Sequence, residues 1–273
     1  MKVRVDISIV SHGHGAMVHA ALKRLALSLG PFAGVARAWV TLNLPEPELE
    51  RLLAGGAWPF DVRVLRNAAP SGFGANHNRA FAAAQAAEED KSESWFVVMN
   101  PDIDWPEDAR RFWEGLLGDA PVPDQVGLLC PTQADRDGQR QDFARALLTP
   151  WSLAARVARR MAGGAPSGMA DSVESADWVN GACMIFRSQA FAQLEGFDDR
   201  FFMYCEDIDI CLRLQLAGWS MQSAPVSVVH DAQRATRRSL RHLAWHLRSV
   251  LRLWTSRAFW RFALRRQARQ SGA

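Results

Sequence analysis

The chain has 273 residues, 48% apolar and 22% charged, which excludes wholesale disorder and allows one large domain or two small ones with a sizeable core. Its net charge of +3 conceals a split: Ala232 to Ala273 holds eleven arginines and no acid, leaving 21 basic and 29 acidic side chains elsewhere, a net −8. A basic tail on an acidic body suits an anionic surface, either membrane or nucleic acid.

Val3 to Val10 alternates and then turns continuously apolar, which predicts a first strand entering a core. "SHGHG" is a turn, and Ala16 to Leu29 follows with helical spacing at Val18, Leu22, Leu25 and Leu29. "ARAWVTL" predicts a second strand and "PEPELERLLAGG" a short helix ended by Gly55 and Gly56. "FDVRVLRN" predicts a third strand, Gly72 to Ala87 a glycine-rich turn leading into an alanine-rich helix, and "SWFVVMN" a fourth strand. Strands alternating with helices predict an α/β fold with a mostly parallel sheet flanked by helices, whose ligands bind at the carboxyl ends of the strands. Beyond Trp105 the pattern loosens. "QVGLLC" predicts a strand, and Trp151 to Ala176 is expected to include a loop at "MAGGAPSGMADS". "DWVNGACMIFR" predicts a strand broken at Asn180-Gly181. Helices follow in "SQAFAQLEGF" and "DIDICLRLQLAGW", and a last strand in "MQSAPVSVVHD".

Three groups of side chains invite chemistry. In "MNPDID", Asp102 and Asp104 stand two apart, so in an extended segment they would share a side. Two such carboxylates repel, and a hard divalent cation relieves the cost; the plainer alternative is Asp102 capping a helix that begins near Pro106. In "YCEDIDICLRL", Glu206, Asp207 and Asp209 open a predicted helix, where acids complement the macrodipole and where a half-buried carboxylate also serves as a general base. His230 ends the apolar "VSVV" and is either a surface histidine or a metal ligand. Cys130, Cys183, Cys205 and Cys211 form no C-x-x-C pair and are expected to be reduced thiols of a cytosolic protein. "MKVRVDISIVSHGHG" turns polar too soon for a signal peptide, and no run of about 18 apolar residues offers a membrane span.

In this order, "NAAPSGFGANHNRAF", "VVMNPDID", "DWVNGACMIFRSQAFAQLEGFDDRFFMYCEDIDICLRLQLAGW" and "VVH" resemble the family 2 glycosyltransferases, and within them the rhamnosyltransferase-like branch. The resemblance implies a GT-A fold over residues 1–231 with a basic amphipathic helical tail over 232–273. It implies that Asp102, Asp104 and His230 hold a Mn2+ or Mg2+ ion against a nucleotide-diphosphate sugar, and that Asp207, with Glu206 beside it, is the base. Ser11, Asn43, Asn76, Asn78, Arg79 and Asp102 are then expected at the nucleotide, and Trp178, Asn180, Gly181 and Asp209 at the donor sugar and acceptor. Relatives carry an aspartate after the second strand where this chain has "VTLNLPE", so Asn43 stands in as a neutral group and the nucleotide base is left open.

The implied reaction is inverting transfer of a sugar, L-rhamnose among the candidates, to a hydroxyl of a saccharide or lipid-linked acceptor of cell-surface polysaccharide synthesis. In the tail, Leu240, Leu243, Leu247, Leu251 and Trp254 form one apolar face, and Phe259, Trp260 and Phe262 sit among arginines. Two outcomes are open for the tail. Either it lies on the anionic cytoplasmic face of the inner membrane, or it packs on the domain or on a second subunit as a homodimer. A nucleic-acid partner would account for the tail but not the acids. A nucleotidyltransferase would need a basic, glycine-rich loop where "SHGHGAMVH" stands, and a silent sugar- or nucleotide-binding scaffold would be expected to have lost some of these acids.

Overall fold

The computed structural model describes residues 3–87, 93–118, 122–147, 149–163, 169–231 and 240–270. The first half alternates as expected: β1 (Arg4–Ser11), α1 (Gly15–Leu29), β2 (Ala36–Leu42), α2 (Pro47–Gly55), β3 (Asp61–Arg66), α3 (Phe73–Ala86) and β4 (Ser94–Met99). A two-residue strand β5 (Ile103–Asp104) and α4 (Arg110–Leu117) come next, then β6 (Val126–Ala134), β7 (Ala144–Arg145) and α5 (Pro150–Met161). The second half continues with β8 (Trp178–Val179), β9 (Cys183–Arg187), α6 (Ser188–Gln193), α7 (Glu206–Leu216), β10 (Ser220–His230), α8 (Leu240–Trp254) and α9 (Arg257–Gln270). Helix α5 precedes the expected loop "MAGGAPSGMADS" and shares only Met161 with it. Residues 164–168 of that loop, and residues 232–239 at the start of the expected tail, lie outside the described residues.

One eight-stranded sheet runs in the order β3-β2-β1-β4-β9-β6-β10-β5. β3, β2, β1 and β4 are parallel neighbours, as are β6 and β10, whereas β9 runs against both β4 and β6 and β5 runs against β10. The carboxyl ends of the parallel strands therefore meet the amino end of β9 along one rim, and the segments of interest open there. Strand alternation divides the core. In β4, Trp95, Val97 and Met99 join the layer beneath α1, α2 and α4, while Phe96 and Val98 join the layer that holds α3, α6 and α7. With both faces covered, β4 is buried at all six positions, which is why it reads as an unbroken apolar run.

The glycines of the turn before α3 serve a close approach. A side-chain carbon on Gly72 would stand 2.6 Å from the Phe202 carbonyl oxygen, and one on Gly74 2.6 Å from Phe197 Cβ. The amide of Phe73 donates to that Phe202 carbonyl (3.0 Å), so this end of α3 is fastened to the loop preceding α7. The tail helices enter the same layer: Val250, Leu253, Phe259 and Phe262 are buried with the aromatic cluster around Phe96, Phe186 and Phe191. Arg266 pairs with the buried Asp177 (3.1 Å) and ties α9 to the body.

Candidate functional site

Helix α7 starts abruptly. Cys205 precedes it in the left-handed region (φ 65°), so Glu206 and Asp207 occupy the first turn. Asp207 is half-buried, with Oδ2 accepting from the Gly181 amide (3.2 Å) and Oδ1 from the Ile208 amide (2.8 Å). Glu206 is 6% exposed, and its Oε2 is buried without a hydrogen-bond partner among the described residues. Burial raises both carboxyls above their ordinary range; the neighbouring Asp207 charge raises Glu206 further, while the backbone amides pull Asp207 back down. The two groups titrate as a pair, with Asp207 the first to ionise and Glu206 retaining the proton longer. The arrangement is a weakly acidic carboxyl beside a carboxylate already oriented by two amides.

The strand break at Asn180-Gly181 joins this carboxylate to the rim. The Asn100 amide donates to the Ala182 carbonyl (2.8 Å), so the turn after β4 and the segment gripping Asp207 are adjacent. Asn180 exchanges two amide hydrogen bonds with the buried Gln133 of β6 (2.7 and 3.0 Å), and Gln141 donates to the His230 carbonyl (2.8 Å). In that turn, Asp102 Oδ2 stands 3.6 Å from His230 Nε2, too far for a hydrogen bond. Asp102 Oδ1 and His230 Nδ1 are each buried with no partner among the described residues. Each of the two neighbouring groups thus keeps one unpaired buried polar atom, and carboxylate oxygen and imidazole nitrogen are both donors that a divalent cation accepts.

Asp104 departs from expectation. Pro101 and Asp102 lie in the turn, and only Ile103 and Asp104 are extended, so the period-two alignment does not run from 102 to 104. Asp104 instead pairs with Arg24 of α1 (3.0 Å), and among the described residues no group of three or more histidine, cysteine or acidic side chains converges on one point. Asp104 Oδ1 is nevertheless buried with no partner among the described residues, like Asp102 Oδ1 and His230 Nδ1, while its Oδ2 is held by Arg24. The helix-cap alternative for Asp102 is also absent: the 3-10 turn Glu107–Ala109 that leads into α4 has Pro106 at its cap and no side-chain cap bond.

Three of the residues expected at the nucleotide, Asn43, Asn76 and Arg79, join one side-chain network. Asn67 donates to Asn43 Oδ1 (2.8 Å) and to Asn76 Oδ1 (2.6 Å), and it accepts from Arg79. Asn43 also accepts from the Ser71 amide (2.8 Å) and donates to the Ser71 carbonyl (3.0 Å). Asn43, Asn76 and Arg79 therefore hold the 67–72 loop beside the rim, with Asn67, the first residue of "NAAPSGFGANHNRAF", as a hub that was not singled out as a site residue. Ser11 ends β1 and accepts from the His14 amide (3.2 Å), which shapes the next turn.

Three expected site residues are engaged in structural contacts. Asn78 faces the other way: it donates to the Phe197 carbonyl and to Asp199 and accepts from the Phe197 amide, fixing the 197–199 loop instead of a nucleotide. Asp209 is 2% exposed and bonded to Arg213 (2.6 Å), which in turn donates to the Leu194 and Gly196 carbonyls. Trp178 is nearly buried and donates to the Ala146 carbonyl (3.1 Å), so it packs beneath the break. The four cysteines are free and buried, and burial pushes every thiol up, which removes them as nucleophiles.

Residues 54–273, including α8 and α9, match the family model described as glycosyltransferase like family 2. The N-acetylglucosaminyl-diphospho-decaprenol L-rhamnosyltransferase of Mycobacterium tuberculosis is 32% identical over 230 residues, 75% of this chain and 71% of that protein. Rhamnosyltransferase WbbL of Escherichia coli is 42% identical over 78 residues, 28% of this chain and 30% of that protein. Among solved structures, the mannosyltransferase PcManGT of Pyrobaculum calidifontis, in complex with GDP-Man and Mn2+, has a TM-score of 0.59 at 15% identity, covering 92% of this chain and 65% of that one. TarS 1–349 of S. aureus has a TM-score of 0.53 at 12% identity, covering 83% of this chain and 60% of that one. At those identities the likeness establishes the fold, which is GT-A-like.

Proposed function

The chain belongs to glycosyltransferase family 2, and on that premise we propose that it moves L-rhamnose from a nucleoside diphosphate to a hydroxyl of a lipid-linked saccharide, inverting the anomeric centre. The observation that carries the mechanism is the Asp207 carboxylate, oriented by the Gly181 and Ile208 amides next to the turn that bears Asp102. The acceptor O–H bond breaks and its proton passes to Asp207. The acceptor oxygen bonds to the anomeric carbon from the face opposite the leaving group. The bond from that carbon to the diphosphate oxygen breaks, and its electrons leave with the nucleoside diphosphate. One carboxylate suffices for this single displacement; a double displacement would require a second, nucleophilic one. A raised pKa makes Asp207 a stronger base while leaving it ionised near neutrality, and general-base help of this kind is worth about 10²–10⁴-fold. Asp102 and His230 would hold the divalent cation, Mn2+ or Mg2+, which when bound supplies positive charge against the diphosphate.

The tail supports attachment to an anionic membrane on the cytoplasmic face, where a lipid-linked acceptor would be met. Among the described residues no helix is long and apolar enough to cross a membrane. Leu243, Leu247 and Leu251 of α8, and Trp260 and Leu264 of α9, are 49–64% exposed among exposed arginines. A second copy of the chain is the alternative occupant of those leucines. Co-sedimentation with phosphatidylglycerol vesicles distinguishes the two: Leu247→Glu should abolish it, and retention in the pellet would contradict the membrane reading.

The donor is tested by thermal shift with dTDP-rhamnose, UDP-sugars and GDP-sugars, each with Mn2+ or Mg2+. Selective, metal-dependent stabilisation by dTDP-rhamnose is the expected result. Selective stabilisation by another donor would overturn the choice of sugar, and no stabilisation by any would overturn the proposal.

A further inference from the structure

Three non-glycine residues have positive φ among the described residues, and two of them, Tyr204 (73°) and Cys205 (65°), are consecutive and stand directly before Glu206 and Asp207. Left-handed backbone at such residues persists only where its surroundings over-determine it. The surroundings here come largely from the tail. His242 Nδ1 lies 2.8 Å from the Tyr204 hydroxyl. The His246 ring meets the Tyr204 ring edge-on at 5.1 Å, and the Trp245 ring lies 5.0 Å from that of Phe202. Ser249 donates to the Met203 carbonyl (2.8 Å). Positions 242, 245, 246 and 249 follow the steps of one helical face, distinct from the exposed leucines at 243, 247 and 251.

We propose that α8 is a positioning element for the base, with the Tyr204–His242 hydrogen bond its principal fastening. This rests on Asp207 being the base. The grip on residues 202–204 holds the two left-handed residues, and these set the direction in which α7 begins. That direction brings the Asp207 carboxylate to the Gly181 amide. On the other side of the loop, the Phe73 amide holds the Phe202 carbonyl, so the strained segment is fixed between α3 and α8. Neither Tyr204 nor His242 enters the reaction; both act through the orientation of Asp207.

The test uses the full chain with dTDP-rhamnose, Mn2+ and a short prenyl diphosphate carrying N-acetylglucosamine. Tyr204→Phe and His242→Ala should each lower kcat at least about tenfold while leaving the KM for donor and the donor-induced thermal shift near wild type. Because both remove the same bond, the double variant should be no slower than the worse single one. His242→Asn, which returns a hydrogen-bonding group near the Nδ1 position, should recover much of the loss. Unchanged kcat in both single variants, fully additive losses, or loss of the donor-induced shift along with kcat would overturn the proposal. Asp207→Asn in the same assay separates the two claims. If it stays active, the base assignment is at fault; if it is inactive while Tyr204→Phe and His242→Ala are not, the positioning role is.

Discussion

Phe259→Ala measures how far the tail belongs to the body. Phe259 is fully buried on α9 in the layer that includes Leu253, Phe262 and the apolar face of α7, with Trp260 edge-on at 5.2 Å. Truncating a buried phenylalanine removes its transfer free energy and leaves a cavity, together about 3–5 kcal/mol. For a chain of this size each kcal/mol lowers the melting temperature by about 2–4 °C, so a fall of about 6–20 °C is expected. The cost should be at the upper end, because loosening α9 also exposes the Arg266–Asp177 pair, whose carboxylate is buried. Differential scanning calorimetry reads this directly, with Leu247→Ser, on the exposed face of α8, expected within about 0.5 kcal/mol of wild type. A loss below about 1 kcal/mol in Phe259→Ala, or a separate low-temperature transition for the tail, would refute the argument that α9 shares the body's core. The same reasoning rules out simple deletion after Ser256 as a membrane assay, since it would strip Phe259 and Phe262 from that core.

Other substitutions test the site piece by piece. Glu206 has a carboxyl raised by burial and by Asp207, so the folded chain binds its proton more tightly than the unfolded chain. Stability should therefore fall as pH rises from the ordinary glutamate range through the raised value; Glu206→Gln should flatten that fall and melt higher at alkaline pH, and an unchanged pH profile would count against the buried pair. Asp102→Ala and His230→Ala should each weaken Mn2+ binding in the presence of nucleoside diphosphate by at least about tenfold, read by titration calorimetry, while Asp104→Ala should change it little. Equal losses at Asp102 and Asp104 would restore the paired site. Gly196→Ala should destabilise by more than about 1 kcal/mol, since φ is 70° and the new carbon would stand 2.2 Å from Asn78 Oδ1; a neutral result in urea melts would mean the 196–199 loop shifts freely.

The layered sheet was legible because period-two and period-3.6 patterns are local: β2 occupies the residues its alternation marked, and β1, β3 and β4 begin or end within a residue or two. Helix α5 was missed although its apolar residues have helical spacing, because the glycine-rich run that begins at its last residue, Met161, reads as a loop. The expected alignment of Asp102 with Asp104 failed on one turn, since the alternation rule holds only where the backbone is extended. Grouping Asn76 and Asn78 at one nucleotide site went against the predicted helix, on which a two-residue step turns about 200° and so places them on opposite faces. The tail's periodic leucines at 243, 247 and 251 share an exposed face, but which face meets the body depends on partners outside the tail, 38 and 46 residues away at Tyr204 and Met203. His242 and Ser249 mattered through Tyr204 and Met203, contacts that no spacing in the tail announces.

The central claim is that one oriented carboxylate accepts the acceptor's proton. It is tested most directly by the rate of nucleoside diphosphate release from Asp207→Asn, with donor protection measured on the same sample. The account predicts a loss of about 10²-fold or more in turnover with donor-induced stabilisation retained. Turnover near the wild-type rate in that variant would contradict it.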